Sequence, residues 1–298
     1  MPSAPSPARA AAPRLPRGVA ALLLAIIVIG VPPIQLQAAS RATTPGAIIW
    51  AVGDIGVCKR RTDTLVANLI ERHQGTVLTL GDHAYPAGSV EDFAHCFDPP
   101  WQDLIPRTHP APGNHEYRTA DGGGYFAYFG DRARGGYYAF TRGEWRIYSL
   151  NSSALGGGQL DWLAADLAAH PVGCSLAYWH EPLFTSHLGG PTPAVKAFWD
   201  LLATAGVDVV LNGHAHDYER FAPQTPDAVA ADDGIREFIV GTGGRTLGGF
   251  GDPAANSEVR QAKTWGALRM RLAPGGYSWQ FYRAAGEDFT DSGTGVCH

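Results

Sequence analysis

This 298-residue chain has no C-x-x-C pair, no internal repeat, no low-complexity tract beyond its first 40 residues and no apolar run of membrane-spanning length. The first absence removes zinc-ribbon and thioredoxin-type readings. The second removes solenoid arrays, which need periodic self-similarity. Charged residues make up only 17% of the chain against 45% hydrophobic ones. That describes an ordinary globular protein long enough to bury one large core. The length alone would admit two domains, but no linker-like break follows residue 45, so residues 45–298 read as one.

The first 40 residues are of different material. Ala, Pro and Ser dominate Met1–Pro16, with Arg9 and Arg14, and then Arg17, as the only charges. A run of 13 mostly apolar residues follows, Val19–Val31, and then the small-residue stretch Ala38-Ala39-Ser40. A basic region, a short apolar core and small residues at the exit are the parts of a secretory signal peptide. The run falls short of the ~20 residues of a membrane-spanning helix; an uncleaved N-terminal anchor is the alternative, and only then would a membrane be a partner. The expected location is secreted or extracytoplasmic. Cleavage would take the formal charge from −5 to −8, and a mildly acidic surface argues against nucleic acid as the main partner.

Four cysteines remain beyond the leader, Cys58, Cys96, Cys174 and Cys297. An even count in an oxidising compartment suggests two disulfides. Of the three connectivities, the favoured one joins Cys58 to Cys96, both in loops near the first motifs, and uses Cys174–Cys297 to pin the C-terminus.

From Ala47 onward, strand-like and helix-like segments alternate. Ala47–Val52, Val77–Leu80, Trp145–Leu150, Ser175–Trp179, Val207–Leu211 and Glu237–Val240 are short and nearly all apolar. Helix-like segments lie at Thr62–Arg72, Gln159–Ala169 and Ala194–Ala205; in the second, Leu160, Leu163 and Leu167 recur at helical spacing. Leu268–Arg283 alternates around Pro274-Gly275-Gly276 like a hairpin. Buried strands alternating with helices imply a layered α/β protein.

Five times, metal-capable side chains stand directly after such a run or a proline-rich approach: Gly53-Asp54-Ile55-Gly56, Gly81-Asp82-His83-Ala84-Tyr85, Gly113-Asn114-His115-Glu116, His180-Glu181-Pro182 and Gly213-His214-Ala215-His216. Ligands of open α/β sheets bind at the carboxyl ends of strands, so these residues would converge on one edge. Carboxylates, imidazoles, an amide oxygen and a phenol suit borderline or hard ions such as zinc, manganese and iron. One shared carboxylate would hold two ions ~3.5–4 Å apart, the spacing of two-metal hydrolases. Each motif alone is weak; the five in this order are specific.

In this order the motifs resemble the calcineurin-like metallophosphoesterase superfamily, and within it the purple acid phosphatases. The shared pattern, D-x-H, G-D, G-N-H-[DE], H and G-H-x-H, covers residues 54 to 216, with family-like segments continuing to about 283. Gly56 stands where the common form has a histidine. Purple acid phosphatases share that departure and supply a tyrosine three residues after the second aspartate, the position of Tyr85. The resemblance implies a four-layer α/β/β/α sandwich with the site at its edge. It implies Asp54, Tyr85 and His216 on an Fe(III) ion, Asn114, His180 and His214 on an Fe(II), Zn or Mn ion, and Asp82 bridging the two. His115 matches the histidine that contacts phosphate, and His187 approximates the position of a second one. The implied activity is hydrolysis of small phosphate monoesters by metal-bound hydroxide, as in an acid phosphatase. A phosphodiesterase or nucleotidase using the same metals is the rival enzyme, and a non-catalytic binding protein on this fold is the rival from another class.

Other residues read differently. His83 faces away from its neighbours, Glu116 orients the His115 loop, and Glu181 caps a turn. Gly241-Thr242-Gly243-Gly244-Arg245 follows a strand but lacks the lysine of a P-loop; it reads as a rim, with Arg245 a candidate for substrate contact. Tyr125, Phe126, Tyr128, Phe129, Tyr137 and Tyr138 read as packing rather than as a pocket wall.

Overall fold

Ile49 and Ala51 bury into one hydrophobic cluster while Trp50 and Val52, on the same strand, bury into another. That alternation, one residue per face, is the local reason for a layered fold. In the computed structural model, which describes residues 46–298, two β-sheets stack face to face and helices cover both outer faces. The leader and its cleavage region lie outside the described residues.

The first sheet has six strands, in the order Ser292–Val296, Gly276–Gly286, Thr264–Ala273, Ala47–Val52, Thr76–Leu80 and Thr108–Ala111. Ala47–Val52 runs parallel to Thr76–Leu80 and antiparallel to Thr264–Ala273. The second sheet has seven, in the order Ser257–Gln261, Tyr218–Phe221, Arg236–Val240, Val209–Asn212, Ser175–Tyr178, Trp145–Ser149 and Tyr138–Arg142. Its four central strands, from Arg236–Val240 to Trp145–Ser149, are parallel.

Between the sheets, Ile49, Leu78, Leu80, Leu268 and Met270 meet Ile147, Leu176, Val209, Leu211 and Phe238. Outside the first sheet, Trp50 and Val77 pack on Val66 and Ile70 of the helix Thr62–Glu71 and on Phe93, Phe97 and Trp101. Outside the second, Ala177 and Val210 pack on Leu163 of Gln159–Ala169 and on Phe198, Trp199 and Leu202 of Lys196–Thr204. The four-layer α/β/β/α sandwich is therefore present. Each of these fully buried aliphatic side chains is worth roughly 1.5–3 kcal/mol.

Most element boundaries shift by no more than two residues from those the sequence suggests, but the hairpin expected over Leu268–Arg283 runs from Thr264 to Gly286. Ala194 and Val195, expected in a helix, form a 3₁₀ turn with Pro193. The strand Thr108–Ala111 hides in the proline-rich approach to Gly113. Pro110 is tolerated because this strand is a sheet edge, and its carbonyl accepts the hydroxyls of Tyr125, Tyr138 and Ser149. Tyr125 and Phe129 are buried, and Tyr137 packs against Trp162. The disulfides pair Cys58 with Cys96 and Cys174 with Cys297, the favoured connectivity.

Candidate metal centre

The five motifs meet at the carboxyl ends of Ala47–Val52, Thr76–Leu80, Thr108–Ala111, Ser175–Tyr178 and Val209–Asn212. Glycines let these strand ends close on one another. A Cβ on Gly81 would lie 2.7 Å from the His180 ring, and one on Gly213 2.9 Å from Asp54 Oδ2. Asp54, Asp82, His214 and His216 all hold left-handed backbone, with φ of 60°, 52°, 71° and 54°. Non-glycine residues rarely adopt it, and such strain concentrates at functional sites.

Two groups of side chains share Asp82. In one, the Tyr85 hydroxyl lies 2.8 Å from Asp54 Oδ1 and 2.9 Å from Asp82 Oδ2, and 3.3 Å from His216 Nε2. His216 Nε2 is itself 3.2 Å from Asp54 Oδ1. In the other, His180 Nε2 lies 3.0 Å from Asn114 Oδ1 and 3.4 Å from Asp82 Oδ1, and His214 Nδ1 is 3.1 Å from Asn114 Oδ1 and 3.2 Å from His180 Nε2. All seven residues expected to hold metal are thus brought together.

These atoms fit cations better than they fit one another. His180 Nδ1 donates to the Leu80 carbonyl at 2.7 Å, which turns Nε2 inward in the manner of a metal-ligating histidine. Nε2, Asn114 Oδ1 and His214 Nδ1 then face each other, and one proton can bridge only one of those pairs. On the other side a single phenolic proton serves two carboxylates.

The electrostatics make the same demand. Burial pushes the Asp82 carboxyl up, but the imidazoles of His180 and His115 outweigh it and hold the carboxyl well below its usual range. Burial likewise raises Asp54, and the pull of His216 and His180 brings it down. His180 loses basicity by burial yet is raised to about 10 by Asp82 and Asp54, so without metal a proton supplies the missing positive charge. His214 is lowered to about 4 by burial and by its neighbour His180. Tyr85 is pushed well above 10, by burial and then by the two carboxylates; only a strongly charged cation in place of the proton suits the phenolate. Asp54, Asp82 and His180 offer ligand atoms within 4.8 Å of one another.

The remaining candidates fall around this centre. The His115 backbone N–H donates to Asp82 Oδ1 at 2.8 Å, its Nδ1 meets the Pro86 carbonyl at 2.5 Å, and its Nε2 stands 3.8 Å from Asp82 Oδ2. His187 is not among the converging atoms. Its Nδ1 is 3.6 Å from Asp217 Oδ2, and its ring and the Ala215 carbonyl flank the α-carbon of Gly248. His83 lies beneath the site, with Nε2 2.7 Å from Thr79 Oγ1 and its ring against Phe97 and Phe129. The Glu181 carbonyl accepts the Trp179 indole N–H.

Two features go beyond what the motifs disclose. Glu116 accepts the backbone N–H groups of Asp82, His83 and Gly113, so it joins two motifs. The run Gly241–Arg245 folds over the first motif, and the Arg245 guanidinium carbon lies 4.6 Å from the Tyr85 ring centroid. The glycine-rich run after a strand was the available signal; its partner, far away in sequence, was not.

Fold and site together define a calcineurin-like phosphoesterase: residues 48–218, more than half of the chain, match that family, and the chain belongs to it. It is 27% identical over 228 residues to purple acid phosphatase 15 of Arabidopsis thaliana, a match covering 62% of this chain and 42% of the plant protein. The structure of purple acid phosphatase PPD1 from yellow lupin (Lupinus luteus) superposes with a TM-score of 0.70 at 16% identity, over 84% of this chain and 53% of that one. GAP50, the anchor in the inner membrane complex of Plasmodium, follows with a TM-score of 0.65 at 14% identity, over 86% of this chain and 90% of that one. PhoD has a TM-score of 0.59 at 12% identity, over 85% and 69%. At these identities the structural likenesses concern the fold. The chain spans about two-fifths of the curated plant relative.

Proposed function

We propose that residues 45–298 form a single phosphoesterase domain, exported behind the leader 1–40, that hydrolyses small phosphate monoesters at a two-metal centre. The observation that carries this reading is the sharing of Asp82 between two groups of inward-facing donors. Asp54, Tyr85 and His216 would hold one ion, which the phenol suits to Fe(III). Asn114, His180 and His214 would hold the other, Fe(II), Zn or Mn. Asp82 joins them. Bound there, two cations would supply charge neutralisation of the phosphate and a water nucleophile available well below its bulk pKa.

The chain's own residues supply the rest. His115 is aimed by Nδ1, which donates to the Pro86 carbonyl; Nε2 is left facing the centre, and in the doubly protonated ring it would offer a proton to a phosphate oxygen and to the leaving alcohol. His187, beside the GHAH loop with its Nδ1 3.6 Å from Asp217 Oδ2, is proposed as a second phosphate contact. The exported location is supported by both disulfides, which persist in oxidising compartments. Among the described residues, no helix is long and apolar enough to cross a membrane.

The test is metal content, visible spectrum and hydrolysis of a monoester and a bis-ester by the purified protein, before and after Tyr85→Phe. Two metals per chain, monoester hydrolysis and a purple charge-transfer band lost in the variant are expected. A colourless protein with zinc or manganese cancels the ferric reading, and a metal-replete protein inert to phosphate esters cancels the enzyme.

A further inference from the structure

The Gly241–Arg245 run is tied to the first motif at two points and to Trp265 at a third. Gly243 N–H donates to Gly53 O at 2.9 Å, Arg245 N–H donates to Asp54 O at 3.0 Å, and the Arg245 carbonyl accepts the Trp265 indole N–H at 2.8 Å. The run can lie this close only because Gly243 and Gly244 have no side chains. A Cβ on Gly243 would lie 2.5 Å from Gly53 O, and one on Gly244 2.6 Å from the Asp63 Cβ. The backbone at Arg245 is therefore as firmly placed as that of Asp54.

Its side chain lies over Tyr85, whose hydroxyl meets Asp54 and Asp82, while His115 packs on the same ring at 4.4 Å between centroids. The half-buried Arg245 guanidinium has no carboxylate within 4.0 Å and no hydrogen bond among the described residues. Stacking occupies a face of the guanidinium and leaves its in-plane N–H donors free. A cation beside the centre, with its donors unspent, is placed to meet an anion.

We propose that Arg245 is a specificity-determining residue that reads the second negative charge of a phosphate monoester. This rests on the phosphoesterase reading and adds the substrate class. A monoester dianion presents three unesterified oxygens; a diester presents two and one charge. With cations and His115 also contacting phosphate, the extra oxygen is the group left for a planar fork of donors. Lysine would keep the charge but lose the fork and the stack.

The experiment compares wild type, Arg245→Gln and Arg245→Lys at equal metal content. It measures kcat/KM for an aryl phosphate monoester and a bis-aryl diester, and the Kd of inorganic phosphate by calorimetry. Arg245→Gln should lower the monoester kcat/KM by about 10- to 100-fold and raise the phosphate Kd by a similar factor. The diester rate should fall by much less, and Arg245→Lys should recover only part of the loss. Equal losses on both esters, an unchanged phosphate Kd, or loss of metal in Arg245→Gln would overturn the proposal, the last by showing that Arg245 only supports Tyr85. A wild type inert to both esters whose phosphate binding still needs Arg245 would sink the phosphoesterase reading and keep Arg245 as the anion contact.

Discussion

Glu116 stands beneath Asp82 and accepts its backbone N–H at 2.9 Å. Two more donors converge on the same buried carboxylate, Gly113 N–H on Oε2 and His83 N–H on Oε1, each at 2.8 Å. The loop that carries Asp82 is thus fastened to the loop that carries Asn114 and His115 by a buried side chain that spends its oxygens on backbone N–H groups.

Glu116→Gln tests this. The amide turns one acceptor oxygen into a donor, which must then face a backbone N–H inside the protein. An unsatisfied buried donor pair costs about 1–3 kcal/mol. We expect a lower denaturant midpoint by that amount, together with weaker metal retention on dialysis against a chelator. Wild-type midpoint and retention would show that the three bonds are dispensable.

The two disulfides should separate stability from site geometry. Cys174–Cys297 closes a separation of 123 residues and enters at the start of the strand Ser175–Tyr178, the end remote from His180. Cys58–Cys96 closes only 38, but a Cβ on Gly56 would lie 3.1 Å from the Cys96 carbonyl, so it braces the loop after Asp54. Replacing either pair by serine should cost about 2–5 kcal/mol. Metal binding should suffer only in the Cys58/Cys96 double variant. Equal metal loss in both would refute the division.

Much of the site was legible because its candidate ligands sit at strand ends, and short apolar runs mark those ends. Asp54, Asp82, His180 and His214 follow such runs directly. Tyr85 was legible through the Gly56 departure, which left a position to fill. The strand Thr108–Ala111 was not, because proline is a breaker everywhere except at a sheet edge, and edges are set by pairing rather than by local pattern. Arg245 over Tyr85 was not, because 160 residues separate them and only the fold brings them together. Glu116 lay between these cases: its neighbours in sequence suggested an orienting role, but three of its four bonds reach back to Asp82, His83 and Ala84.

Asp63 offers a prediction in pH. It lies in the first turn of Thr62–Glu71 beneath Gly244 and accepts the Thr64 N–H at 2.7 Å. Burial, only partly offset by that bond, pushes its carboxyl up from 3.8 to about 6. An acid whose folded pKa is raised binds its proton more tightly in the native state. Stability therefore falls as pH rises from about 3.8 to about 6, and the full penalty persists above that. Asp63→Asn cannot ionise. We expect the variant to gain about 1 kcal/mol over wild type at pH 8, after allowing for partial solvent contact. The gain should shrink as pH falls through about 6 and vanish only below about 3.8 in thermal unfolding. A difference that is constant across that range would mean that the carboxyl ionises as freely folded as unfolded.

Gly241 gives the sharpest test of how tightly the centre is drawn. It follows the strand Arg236–Val240, and its N–H donates to the Asp217 carbonyl at 2.9 Å, so its backbone is committed. A Cβ there would lie 2.7 Å from the His216 N and 2.8 Å from Asp54 Oδ2. Neither neighbour can yield easily. His216 already holds a left-handed backbone, and Asp54 Oδ2 accepts the His214 N–H at 2.7 Å. Overpacking of this kind costs about 1–3 kcal/mol, and here it falls on one proposed ligand group, that of Asp54, Tyr85 and His216. If two ions bind as proposed, Gly241→Ala should therefore lose the one at Asp54, Tyr85 and His216 in preference to the other, read as metal content per chain, with the fold retained by circular dichroism. Loss of both ions together would mean that Asp82 transmits the strain across the centre, and retention of both would mean that the Asp54 loop is free to move.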